Sequence, residues 1–229
     1  MAPALGDDRV LRGTRTLLER WRADLVAGAA RVGWKIGLNE PAVQRHLGLD
    51  GCVVGYLAPA AVLVSGASHS LAGGTRIMVE PEVVIAIGAD VPAGATRGVA
   101  TSAIAGLGAA LEIVDLTGPF DNLEQMIAGN LFHRASVLGR TRAGPSLDGV
   151  EARLLQRDRV VHRAVVAEVL DLAAIVRLVA DTLAAFGETL RAGDRIISGS
   201  VTRQLAGAPG DVASADLGSL GAVEVRFSA

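Results

Sequence analysis

Val79-Glu80-Pro81-Glu82-Val83-Val84-Ile85-Ala86-Ile87 is apolar at every second position, with two acids set between. A period of two marks a β-strand, on which alternate side chains share a face. Glu80 and Glu82 then point the same way, roughly 7 Å apart at their α-carbons. Val79, Pro81, Val83 and Ile85 point the other way, into apolar surroundings. Pro81 has no N–H to give a ladder, which predicts a sheet edge or a bulge. The strand is expected to run from Arg76 to Ile87.

Working outward, Ala110-Leu111-Glu112-Ile113-Val114-Asp115 has the composition of a buried strand apart from Glu112. A carboxylate among apolar neighbours is costly unless it is paired or metal-bound. Glu80 and Glu82 on one face repel each other unless something positive lies between them. A divalent cation held by Glu80, Glu82 and Glu112 answers both problems. Its hard oxygen ligands select Mg²⁺ or Mn²⁺ over zinc. The alternatives stay open: Glu-Pro-Glu as a solvated sheet edge, and Glu112 paired with one of many arginines.

Further along, Asp8–Ala30 carries apolar residues near helical spacing, and Gly33–Gly37 reads as a glycine-bounded strand. Asn39–His46 is a short helix, with Asn39 as N-cap and Pro41 in its first turn. A second small helix, capped by Thr96, is expected over Thr96–Leu107. Ser136–Arg140 is a strand candidate. Val150–Gln156 and Arg159–Val165 form a hairpin around Arg157-Asp158. Leu172–Phe186 is a helix, with Asp171 to cap it and Gly187 to end it. Arg195–Ser198 and Ala222–Phe227 close the chain as strands. Many short strands and a few helices in no regular alternation predict an α+β fold.

The chain has 229 residues, half of them apolar, and a formal charge of −2. That balance supplies core material for one large domain and argues against disorder. It carries no basic excess for nucleic acid or a membrane surface. No apolar run reaches the ~20 residues of a bilayer span. Residues Met1–Asp8 lack a signal pattern, and the single cysteine, Cys52, excludes a disulfide framework. A cytoplasmic location is the expectation, with Cys52 a free thiol. Of the 22 basic residues, 21 are arginine and one, Lys35, is lysine. A lone ammonium in an arginine-rich chain marks a group that can lose its proton, unless genome bias explains it.

Five segments in order extend the reading: Gly33-Trp34-Lys35-Ile36-Gly37-Leu38 followed by Leu47-Gly48-Leu49-Asp50; Val79-Glu80-Pro81-Glu82; Ala110 to Asp115; Leu190 to Thr202; and Pro209-Gly210-Asp211 with Leu217 to Gly221. Together they resemble the fumarylacetoacetate hydrolase superfamily, in its 2-oxopent-4-enoate hydratase and 4-oxalocrotonate decarboxylase branch. The likeness runs from about Gly33 to Phe227. It implies a mixed β-sheet roll with peripheral helices, residues 33–229 forming the catalytic domain after an N-terminal helical segment, 1–32. It implies Glu80, Glu82 and Glu112 as ligands to Mg²⁺ or Mn²⁺, and Lys35 as a proton-handling group. Ser200 and Thr202 would hold the carboxylate of a small 2-oxo acid, and the chain would assemble as a homo-oligomer. The implied reaction is hydration of a 2-hydroxydienoate. Decarboxylation, acylpyruvate-type C–C hydrolysis and a non-catalytic metal-binding partner are the alternatives.

Three departures stand against that pattern. Cys52-Val53-Val54-Gly55 replaces the family's usual Pro-Asp-Tyr-Gly, so an acid thought to work with the lysine is Val53 here. Asn130-Leu131-Phe132-His133-Arg134 replaces Asn-Ala-Ser-Ser-Gly. The region before Lys35 is also short. His133 as general base and Arg134 as binder of a second carboxylate are the expected substitutes. Both pairing merely with nearby acids is the alternative. His46, His69 and His162 are expected at the surface.

Overall fold

The computed structural model describes residues 3–118, 120–144 and 146–229. In chain order the elements are α1 (Asp8–Val26), β1 (Gly33–Gly37), α2 (Pro41–Leu47), β2 (Val53–Leu57), β3 (Val62–Leu63), β4 (Ser68–Ser70) and β5 (Ile77–Ile87). Next come α3 (Arg97–Ser102), β6 (Ile104–Asp115), α4 (Leu123–Ala128), β7 (His133–Leu138), β8 (Glu151–Gln156) and β9 (Arg159–Val165). The chain ends with α5 (Val166–Val169), α6 (Leu172–Ala185), β10 (Arg195–Ile197), β11 (Leu205–Ala206), β12 (Val212–Asp216) and β13 (Ala222–Ser228). Two mixed sheets and peripheral helices make an α+β fold, as the unpatterned order of elements predicts.

An eight-stranded sheet runs β2-β1-β10-β5-β6-β7-β3, with β11 also pairing β5. A five-stranded sheet runs β4-β13-β12-β8-β9. The long antiparallel pair β5–β6 is the spine of the first, with Glu80 directly opposite Glu112 and Glu82 opposite Ala110. Residues opposite one another share a face. The odd-numbered face of β5 (Val79, Val83, Ile85) joins Leu107, Leu111 and Ile113 of β6 in the main core. That core also takes Ile175, Val176 and Val179 of α6 and Val223 and Val225 of β13. The other face of the sheet carries the three glutamates. Beside them lies a small apolar floor of Leu57, Val84, Ala110 and Ile197. One sheet therefore separates structural burial from chemistry.

A polar node fixes the start of β1. Arg31 donates to both carboxylate oxygens of buried Asp194, at 2.6 Å each, and Asp194 also accepts from Trp34 Nε1 at 3.0 Å and from Arg191 N at 3.0 Å. The Arg31 guanidinium lies over Trp21 and Trp34, 5.2 and 5.3 Å from their ring centroids. Helix α1 is thereby joined to the strand that carries Lys35.

Four expectations need correction. Pro81 lies mid-sheet, not at an edge. Its missing N–H falls in the gap between β10 and β11, where the Pro81 carbonyl accepts from Val201 N at 2.9 Å. The helix after Thr96 stops at Ser102, because Ile104 onward pairs with β5 along its whole length. Thr96 does cap it. Asn39 does not cap α2: Glu40 stands at that position, and Asn39 Nδ2 donates to the Ser200 carbonyl at 3.2 Å. His69 is partly buried, its ring edge-on to Phe227 at 6.3 Å, instead of lying free at the surface. At the β8–β9 hairpin, Arg157 and Asp158 both take positive φ (47° and 66°), the geometry of a two-residue turn whose twist suits its strands.

Candidate active site

Glu80, Glu82 and Glu112 each offer a carboxylate oxygen lying within 4.8 Å of the other two. Glu82 and Glu112 are buried and Glu80 is half-buried. Gly199 N donates to Glu82 Oε2 at 2.8 Å, while Glu82 Oε1 is buried without a partner. Gln204 Nε2 donates to Glu80 Oε1. Lys35 Nζ lies 2.6 Å from Glu112 Oε1, with both side chains almost wholly buried. Three carboxylates against one ammonium leave two negative charges in a buried space, and desolvation makes such charge expensive.

That cost appears in the acids. Burial, and then the charge of Glu112, push Glu80 up to about 7. Burial and the charges of Glu112 and Glu80 push Glu82 well above its ordinary value. Burial acts the same way on Glu112, but Lys35 and His133 outweigh it and hold that carboxyl low. A dication between the three would cancel the excess charge, partner the orphaned Glu82 oxygen and find an all-oxygen donor set. The residues fit a hard divalent ion.

Lys35 reaches the site because Gly55, its cross-strand neighbour on β2, has no side chain. A Cβ there would lie 2.5 Å from Asn130 Oδ1 and 2.9 Å from Lys35 Cγ. Asn130 closes this corner by clamping Tyr56, accepting from its N–H at 3.0 Å and donating to its carbonyl at 2.9 Å. Asn130, Leu131 and Phe132 all have positive φ (63°, 56° and 63°). Asparagine tolerates that region, but Leu131 and Phe132 store strain there, roughly 1–2 kcal/mol each. The strained turn delivers His133 to the start of β7.

His133 then acquires its facing from an irregularity. Ser136 pairs with Glu112, Ala135 with Ile113, and His133 with Val114, which leaves Arg134 as an extra residue. The inserted residue flips the alternation, so His133 and Ser136 share the face of Glu112. His133 Nδ1 sits 2.7 Å from Glu112 Oε1, the same oxygen that Lys35 contacts. With the carboxylate as acceptor, Nδ1 carries the proton. Nε2 is left buried and without a partner.

Other expected residues lie as follows. Arg134, the bulged residue, pairs with Asp115 at 3.2 Å and donates to the Ala72 carbonyl at 3.2 Å. This is the pairing with a nearby acid given as its alternative role. Ser200 and Thr202 sit on the loop that brings Gly199 to Glu82. Their hydroxyls donate to the Thr202 and Arg203 carbonyls at 2.9 and 2.8 Å. Cys52 is buried against Gln44 and burial pushes its thiol up, as suits an inert group. Sequence reading passed over Gln204, Asn130 and Ser136. Ser136 alone left a signal, a hydroxyl in the otherwise apolar run Ala135–Leu138.

The profile of the family described as fumarylacetoacetate (FAA) hydrolase C-terminal matches residues 35–228. The chain belongs to this family. A TodF product hydratase of Pseudomonas putida strain F1 is 32% identical over 213 residues, covering 89% of this chain and 79% of the relative. A 2-keto-4-pentenoate hydratase of Paraburkholderia xenovorans strain LB400 is 31% identical, covering 87% and 77%. Among solved structures, 4-oxalocrotonate decarboxylase from Pseudomonas putida G7, complexed with magnesium and adipate, superposes with a TM-score of 0.83. It shares 25% identity over 92% of this chain and 83% of that one. Among the described residues no helix is long and apolar enough to cross a membrane.

Proposed function

We propose that this family member is a divalent-metal-dependent hydro-lyase that adds water to a small 2-hydroxy-2,4-dienoate, giving a 4-hydroxy-2-oxo acid. Carrying this reading is the buried cluster of Glu80, Glu82 and Glu112, with its orphaned Glu82 oxygen and with Lys35 against Glu112. Mg²⁺ or Mn²⁺ is the ion we assign to those ligands. When bound, it supplies Lewis-acid polarisation of the substrate's C2 oxygen. We assign the substrate carboxylate to the loop of Ser200 and Thr202, whose hydroxyls would turn to it from the Thr202 and Arg203 carbonyls they now bond.

The chain's own groups divide the proton work. Lys35, held by Glu112, has two further N–H bonds for the substrate's oxygen or for return of a proton to carbon. His133, oriented through Nδ1 by Glu112, presents Nε2 as the base that takes a proton from water. The same groups would serve a decarboxylase. A 4-oxalocrotonate-type substrate, however, carries a second carboxylate, and the cation expected to bind it, Arg134, is engaged by Asp115. That favours the hydratase. We also assign the chain to the cytoplasm, as a homo-oligomer.

Purified protein with Mg²⁺ or Mn²⁺ and 2-hydroxypenta-2,4-dienoate should consume the dienol absorbance and yield a 4-hydroxy-2-oxo acid. Chelation should stop it. CO₂ release from 2-oxo-3-hexenedioate without hydration of the dienoate would replace this reading with the decarboxylase.

A further inference from the structure

Among the described residues, four buried side-chain polar atoms lack a hydrogen-bond partner: His69 Nε2, Glu82 Oε1, His133 Nε2 and Ser136 Oγ. Three of them share one sheet face. Glu82 Oε1 is accounted for by a metal ion. The other two stand on β7, in adjacent rows of that face. Ser136 is opposite Glu112, and His133 is opposite Val114. Same-face neighbours on a strand lie roughly 7 Å apart at their α-carbons. A separation of that order is one that a single water bridging two side chains spans.

Ser136 is 0% exposed. Its backbone is flanked on both sides, by Glu112 of β6 and Val62 of β3, so the ladders leave its hydroxyl no main-chain partner. A buried hydroxyl with nothing to bond is disfavoured against alanine or valine, which would fill the same strand position. His133 Nε2 faces the same difficulty. Its ring is held by Glu112, and as a lone-pair acceptor it needs a donor.

We propose that Ser136 Oγ and His133 Nε2 together hold the water molecule that adds to the substrate. The inference rests on the hydratase reading and extends it to the nucleophile. In the step it describes, ketonisation has already given a 2-oxo-3-enoate. The water oxygen bonds to C4 as one water O–H bond breaks, and that proton passes to His133 Nε2. The C3–C4 π pair moves toward C2 and its oxygen, then returns as C3 takes a proton. The product is the 4-hydroxy-2-oxo acid. Ser136 accepts a hydrogen bond from the water's second O–H and aims the oxygen lone pair at C4.

The test compares two rates in the metal-loaded enzyme. One is hydration of 2-hydroxypenta-2,4-dienoate. The other is exchange of the C3 protons of 2-oxopentanoate in D₂O, followed by NMR, which needs the enolising groups but no added water. In Ser136→Ala, the ratio of hydration to exchange should fall at least tenfold, with the loss in kcat. Ser136→Cys keeps the volume but bonds poorly, and should behave like alanine. Hydration and exchange falling together would make Ser136 a packing residue and overturn the proposal, as would a ratio unchanged in both variants. Wild-type enzyme that exchanges C3 protons yet never hydrates the dienoate would overturn the hydratase reading itself, and this proposal with it.

Discussion

Removing the metal should leave a protein whose stability falls as pH rises through neutrality. Glu80 has an ordinary carboxyl value of 4.5 and is pushed up to about 7 in the fold. A raised acid favours the fold when protonated. Its contribution is fully present below 4.5 and is lost as pH climbs through about 7. The shift corresponds to about 3 kcal/mol at most, and partial exposure to water brings the expected loss to about 2 kcal/mol. Glu82 acts in the same direction. Glu112, held low by Lys35 and His133, acts oppositely, and only in acid below its ordinary value. For a chain of this size, 2 kcal/mol is roughly 4–8 °C in melting temperature. Calorimetry in chelator between pH 5.5 and 8.5 should show that decline, and saturating Mn²⁺ should abolish it. Glu80→Gln should make the chelator curve shallower, the slope that remains coming from Glu82. A melting temperature in chelator that stays level or rises across pH 7, with Glu80→Gln indistinguishable from wild type, would refute the account of a frustrated carboxylate cluster awaiting a dication.

Lys35→Met should cut turnover by at least ~100-fold, the scale of a lost proton-handling group, and in chelator should cost about 3 kcal/mol by stranding buried Glu112. Steady-state rates and chemical denaturation check the two parts. Asn130→Ala removes both hydrogen bonds to Tyr56 and should lower stability by about 2 kcal/mol. It should also loosen the left-handed turn, and the His133 ring NMR signals of the variant should broaden or move. Arg134→Ala should leave dienoate hydration within threefold of wild type and cost at most about 1 kcal/mol. A selective loss on a dicarboxylate substrate would return Arg134 to substrate binding.

Much of this architecture is legible along the chain because its signals are local. Alternation sets Glu80 and Glu82 on one face, and Asp171 and Gly187 bracket α6 as capping chemistry requires. Strands as short as Val62–Leu63 and Leu205–Ala206 leave no periodic trace and exist only through their neighbours. The candidate site divides along the same line. That Glu112 faces Glu80 depends on the β5–β6 register, which sets these two residues opposite each other across 32 positions of sequence. The facing of His133 depends on one inserted residue, since without the Arg134 bulge its ring would turn toward the main core. Pro81 misled for the same reason. Its missing donor is harmless mid-sheet only because β10 and β11 leave a gap beside it.

Two of the three departures from the family pattern meet in one apolar cluster. Val53 is buried in an apolar cluster with Ala4, Val10, Leu49, Leu123 and Leu131, and Phe132 packs against that cluster. An aspartate at position 53 would sit among those side chains, and Lys35, the cation that could have met it, is turned to Glu112. Leu131-Phe132 in place of Ala-Ser and Val53 in place of aspartate therefore add apolar surface to one and the same cluster. His133, arriving on the same turn, restores a hydrogen-bonding group beside the lysine, and it docks on the carboxylate oxygen that the lysine uses. A chain that had merely lost catalysis would have no reason to keep a lone buried lysine, an orphaned histidine nitrogen and an orphaned serine hydroxyl around one strained turn. Each is costly in a folded core, and each would find a partner in the proposed site once ion, acid substrate and water are bound.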